Sequence, residues 1–159
     1  MWGISSGGVI GPVFFDGAVN GENYLEMLNN IVLPYLRQRE DFNELYFQQH
    51  GAPPHYALNV RTFLHQSFPQ RWFGRRGSIE WPPRSPDLTP MDFFFWGVVK
   101  DKVFSRKPEN VNDMRNYITD AFVDIDRDRE LCQSVCHSVL VRCEECINVD
   151  GGHFEHLRN

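Results

Sequence analysis

Apolar residues return at helical spacing through Tyr24, Leu25, Leu28, Ile31, Val32, Tyr35 and Leu36, which predicts a helix opening at Asn20 or Asn23 as cap. Pro34 sits awkwardly near its end, because proline supplies no backbone N–H. Ahead of it, two β-prone runs, Trp2–Ser5 and Val9–Phe15, flank Gly7-Gly8 and predict a hairpin. Glu44–Gln49 reads as a short aromatic strand. After the turn Gly51-Ala-Pro-Pro54, helical periodicity resumes from His55 to Phe68 through Tyr56, Val60, Phe63 and Leu64. Residue 50 therefore falls at the C-terminal end of a strand, where open α/β sheets hold their ligands. Ser78–Trp81 is another short strand, and Pro82-Pro-Arg-Ser-Pro86 leaves it in extended form. Thr89-Pro90 then pairs a cap residue with proline at a first helical position, placing Asp92 in the first turn. Two acidic helices close the chain, one from Asn110 and one from about Asp128 to Ile147. Strands, then helices around them, make this an α/β chain.

At 159 residues and 42% apolar, the chain is long enough for one domain with its own core, expected to be sheet and motifs over 1–107 and helices over 108–159. No run of eighteen apolar residues occurs and the first residues lack a secretory pattern, so an intracellular protein with no membrane contact is expected. Cys132, Cys136, Cys143 and Cys146 then read as reduced thiols. They interleave with Leu131, Val135, Val139 and Leu140 as buried positions do, so zinc is the lesser reading.

Charge is unevenly spread. Residues 1–60 carry two basic and six acidic side chains, residues 61–107 nine and four, and residues 108–159 five and eleven. Only the middle block, with Arg71, Arg75, Arg76, Arg84, Lys100 and Lys102, could hold phosphates. A solvated face explains such a block equally well.

Three tracts carry a family resemblance: Phe47-Gln-Gln-His-Gly-Ala-Pro-Pro-His55, Trp81-Pro-Pro-Arg-Ser-Pro-Asp-Leu-Thr-Pro-Met-Asp-Phe-Phe-Phe-Trp-Gly97 and Asn148-Val-Asp-Gly-Gly-His-Phe-Glu-His156. Together they resemble the catalytic domain of Tc1/mariner-type DDE transposases over nearly the whole chain. The resemblance implies an RNase H-like domain with a mixed sheet flanked by helices and a helical C-terminal part. It also implies a DNA substrate, residence in the nucleus, and two Mg2+ or Mn2+ ions held by three acids. The second acid falls on His50 and the third on Asp92, with forty-one residues between. The first lies on a central strand expected before residue 1, so this strand is expected to be lacking and the sheet edge it leaves to favour self-association.

Two-ion phosphoryl transfer needs a carboxylate bridging the ions, and a neutral imidazole is one soft nitrogen donor without charge. Asp92 alone would hold Mg2+ only weakly. The resemblance thus points to a transposase remnant that keeps some DNA binding and has lost cleavage. A domesticated interaction module and a nuclease built on His50 and Asp92 with an unusual metal are the alternatives. His50 is expected as a partly exposed remnant bonded to a neighbouring carbonyl, His55 as structural, Asp87 as a turn residue bonded to its own backbone, and Phe93–Trp96 as core.

Overall fold

A computed structural model describes residues 1–81 and 85–158. Arg84 and the extended prolines before it lie outside the described residues. The chain forms two compact units, residues 15–84 and residues 1–14 with 85–159.

In the first of these units, Asn20 caps α1 (Gly21–Met27) by accepting from the N–H groups of Glu22 and Asn23, while the Asn23 side chain answers the Asn20 N–H. The helix then widens into a π-turn, Leu28–Val32, before α2 (Leu33–Arg37). The bulge accounts for Pro34: the hydrogen-bond ladder changes register there and restarts with proline in the first turn of α2, where no donor is missed. Tyr24, Met27, Leu28, Leu33 and Leu36 are buried.

The unit's sheet has the order β3-β4-β5, with β3 Phe47–Gln48, β4 Trp72–Gly74 and β5 Ile79–Glu80, all parallel. Only two residues of the expected 44–49 strand pair. The sequence reading missed β4, whose Trp72 is wholly buried; two aromatics and a glycine between turns are too short to show alternation. A 3-10 turn, Pro53–Tyr56, and α3 (Leu58–Ser67) link β3 to β4. β5 comes alongside after only four residues, a connection far below an ordinary parallel crossover and feasible because each strand contributes two paired residues. The loop turns on Arg76 at φ 59° and on Gly77, where a Cβ would lie 3.0 Å from the Gly74 backbone. Phe47 and Gln49 donate to Arg71 and Phe73 carbonyls at 2.9 and 3.0 Å, so Gln48 between them faces the other edge of β3. Its side-chain Nε2 is buried without a partner among the described residues.

The second unit begins with the hairpin β1 (Gly3–Ser5) and β2 (Gly8–Ile10), shorter than its apolar run. Val9 N–H donates to Asp126 at 2.8 Å and Arg129 donates to the Gly7 carbonyl, so the turn is tied to the helices behind it. A π-turn, Met91–Phe95, leads into α4 (Trp96–Ser105), followed by α5 (Val111–Arg127) and α6 (Arg129–Asn148). Asn110 and Asp128 cap the last two from their side chains, at 2.9 Å each. Val9, Phe95, Val99, Val103, Phe122, Ile125 and Cys132 make the core, with Trp2 and Phe94 packed against it.

Candidate active site and nucleic-acid interface

His50 stands exposed at the end of β3. Its Nδ1 lies 3.3 Å from the Ala52 nitrogen and accepts that N–H, an amide donor where a carbonyl partner was expected. An imidazole nitrogen that accepts carries no proton, so neutral His50 holds its proton on Nε2 and turns an N–H, not a lone pair, outward. Ligating a cation through Nε2 would need the other tautomer and the loss of this bond.

Beside it, His55 is only 5% exposed and its ring lies 4.5 Å from that of His50. Its Nδ1, 3.1 Å from the His50 carbonyl oxygen, must be the donor, because a carbonyl can only accept. The ring stacks on Tyr24 at 4.4 Å; Tyr24 donates to Gln49 Oε1 at 3.0 Å, and Gln49 Nε2 donates to the His55 carbonyl at 2.6 Å. Burial, with the neighbouring His50 adding to it against an opposing backbone bond, pushes His55 down to about 4. Burial also raises the Tyr24 phenol well above its usual range. His55 is thus a neutral structural residue in a closed network, as its place at a helix start suggested.

Asp92 belongs to the other unit, exposed in the first turn after Thr89-Pro90. Its N–H donates to the Thr89 carbonyl at 2.8 Å. Thr89 does not cap as expected: its hydroxyl bonds the Ser85 carbonyl at 3.2 Å, so proline geometry alone starts the helix.

The Asp87 side chain departs from the expected turn bond and lies 2.8 Å from His153 Nδ1. Arg142, 8% exposed on α6, donates to the Asp87 backbone carbonyl at 2.9 Å, pairs with Glu155, and lies 3.9 Å over the Phe93 ring. The C-terminal tail, with Phe154 buried, is thereby clamped to the turn that precedes Asp92. Sequence reasoning missed Arg142, although an arginine between Val141 and Cys143 on an otherwise apolar stretch was a signal. Of the four aromatics 93–96, Phe95 is core and Trp96 is 40% exposed, edge-on to Trp2.

The basic residues divide by occupation. Arg71 is spent on the Phe42 and Leu45 carbonyls at 3.0 and 2.7 Å, and Lys102 on Asp124 at 2.9 Å; Arg106, in the same block, pairs with Asp120 at 2.6 Å. The Lys102 ammonium holds the Asp124 carboxyl below its usual range. Arg75, over the Tyr56 ring at 4.3 Å, and Arg76 are exposed, as is Lys100, 5.1 Å from the Trp96 ring centre.

Among the described residues, no three histidines, cysteines or acids gather where a metal could sit. At position 50 a single nitrogen donor in place of a carboxylate does not fit the bridging role between a pair of hard divalent ions. None of the four cysteines is in a disulfide, and burial pushes the Cys132 and Cys143 thiols up, away from the thiolate that zinc requires. No helix of the described residues is long and apolar enough to cross a membrane.

No family model matches the chain. It is 25% identical over 154 residues to the Tcb2 transposase of Caenorhabditis briggsae, covering 95% of this chain and 52% of that protein. It is 28% identical over 142 residues to the Tc3 transposase of Caenorhabditis elegans, covering 87% and 39%. Its relatives are Tc1/mariner transposases. The chain spans about half the length of the first of these relatives. Its fold matches the Mos1 transposase catalytic domain, solved with raltegravir and Mg, at a TM-score of 0.77 and 23% identity over 94% of this chain and 73% of that one. A Mos1 paired-end complex with the left transposon end matches at 0.74 and 24% identity, covering 94% of this chain and 42% of that one. The fold of this transposase-like domain is therefore RNase H-like, as its motifs implied.

Proposed function

We propose that this domain holds DNA weakly and without sequence preference, in the nucleus, and does not cut it. The observation that carries the reading is His50: at the strand end where the resemblance expects a metal-binding aspartate stands an exposed imidazole, whose Nδ1 lies 3.3 Å from the Ala52 N–H. Asp92 remains as a single exposed carboxylate. Mos1 has been solved with Mg and with Mn, which makes those ions the ones to try.

The test is nicking of supercoiled plasmid by the purified chain in Mg2+ or Mn2+. No cleavage above background is expected. Nicking that disappears in Asp92→Ala overturns the proposal.

DNA contact, in this reading, rests on Arg75 and Arg76, exposed arginines of the middle block that, unlike the equally exposed Arg106, are in no ion pair among the described residues. Binding through phosphates alone falls steeply with salt and is blind to sequence.

A further inference from the structure

We propose that Cys143 and Cys146 form a two-thiol site for a single soft, thiophilic cation, with cuprous copper as the ion it fits. The four cysteines follow at steps of four, seven and three residues along α6, which at about 3.6 residues per turn gathers them within an arc of about 80°. They do not act as four. Cys132 is wholly buried, and its thiol donates to the Ile125 carbonyl at 3.5 Å. Cys136 stands two turns before Cys143, about 10 Å along the axis, too far for one ion to join them. Cys143 and Cys146 are neighbours within one turn, and both are partly exposed.

The backbone under the pair is held in place. The Cys146 carbonyl accepts from Val149 at 3.3 Å and from Gly151 at 2.8 Å, which closes the helix end. Two ion pairs on either side of Cys143, Arg142 with Glu155 and Glu145 with Arg158, strap this turn to the C-terminal tail. Cβ atoms three residues apart on a helix are about 5–6 Å from each other, whereas a disulfide needs about 3.5–4.5 Å. Forming a disulfide would therefore have to distort the held turn. Two metal–sulfur bonds of about 2.3 Å in line set their sulfurs about 4.6 Å apart, a separation that the helix permits.

The pair also selects the ion. Among the described residues no third histidine, cysteine or acid joins it, so a cation that demands four ligands, such as Zn2+, is left unsatisfied. Mg2+ and Mn2+ prefer oxygen, whereas soft thiolates select Cu(I), which two of them in line satisfy. Burial pushes the Cys143 thiol up and the nearby Cys146 adds to it, so the two sulfurs feel each other's charge. A cation between them turns that repulsion into attraction. On binding, both S–H bonds break, two Cu–S bonds form and two protons pass to solvent, with no change of oxidation state. This inference is independent of the proposed DNA contact.

The experiment is anaerobic titration of the reduced whole chain into Cu(I) held by the coloured chelator bicinchoninate, with Cys143→Ser, Cys146→Ser and Cys136→Ala alongside. Circular dichroism checks that each variant keeps its helices. Wild type is expected to withdraw one copper per chain, and Cys136→Ala to match it. Either serine variant is expected to lose at least about a hundredfold in affinity, because a lone thiolate forfeits the effective concentration that its neighbour supplies. X-ray absorption of the copper-loaded wild type, a readout that needs no variant, is expected to show two sulfur ligands. A wild type that withdraws no copper overturns the proposal. So does uptake that either serine variant retains, a loss in Cys136→Ala as large as in the serine variants, or a third sulfur at the metal. Saturable Zn2+ binding that both serine variants lose would also overturn it, by showing that the pair belongs to a larger ligand set.

Discussion

Residue 50 and residue 55 lie five positions apart and obey opposite constraints. His50 is exposed and fixed by an amide; His55 is buried, stacked on Tyr24, and neutral because a charge there would lose its hydration. An unfolded histidine titrates near about 6.5, whereas folded His55 is pushed down to about 4. Between those values the unfolded chain binds a proton that the folded chain refuses. The contribution is therefore whole above about pH 6.5 and is lost as the pH falls toward about 4, a loss on the order of 3 kcal/mol. Urea melts from pH 7 to pH 4 measure it. His55→Phe keeps the stacking and is expected to flatten the profile; an unchanged slope would show that His55 is not the group responsible. His50, Asp92 and the exposed arginines could all be named from sequence because motif and charge mark them. Arg142 could not be assigned, because its partners Asp87 and Glu155 lie 55 and 13 positions away and nothing local pairs them.

Helix starts were legible where a short polar side chain precedes an apolar run: Asn20, Asn110 and Asp128 all cap. Replacing Asn110 or Asp128 by alanine is expected to cost about 1 kcal/mol each in thermal or denaturant melts. Thr89 has the same sequence signal and does not cap, since its hydroxyl is diverted to Ser85; Thr89→Val tests the loss of that bond rather than of a cap. Pro34 was unreadable because a π-turn leaves no mark in apolar spacing. Were Pro34 a helix-interior misfit, Pro34→Ala would stabilise by about 3 kcal/mol. With the register change before it, a shift within about 1 kcal/mol is expected. Strands fared worst: β3, β4 and β5 contribute two or three residues each, too few for a period of two to register. Hydrogen exchange gives their signature, with slow amides at Phe47 and Gln49, bonded to β4, and a faster one at Gln48 in dilute monomer.

Across the whole molecule, the block charges separated a basic middle from acidic ends, and the structure shows that much of this separation cancels locally, Lys102 and Arg106 pairing with Asp124 and Asp120. DNA affinity is therefore expected to depend on Arg75 and Arg76. Charge reversal at both is expected to shrink the salt slope of binding, while Lys102→Ala and Arg106→Ala leave it nearly unchanged; equal effects from the two pairs would refute this division. The RNase H-like fold was legible because long motifs specify it, and the proposed loss of metal chemistry rests on a single letter, His50. Binding of Mn2+ to the purified chain, followed by titration calorimetry, tests that loss most directly. No saturable binding is expected in the submillimolar range, for wild type and Asp92→Ala alike. A saturable two-ion isotherm that Asp92→Ala abolishes would contradict it.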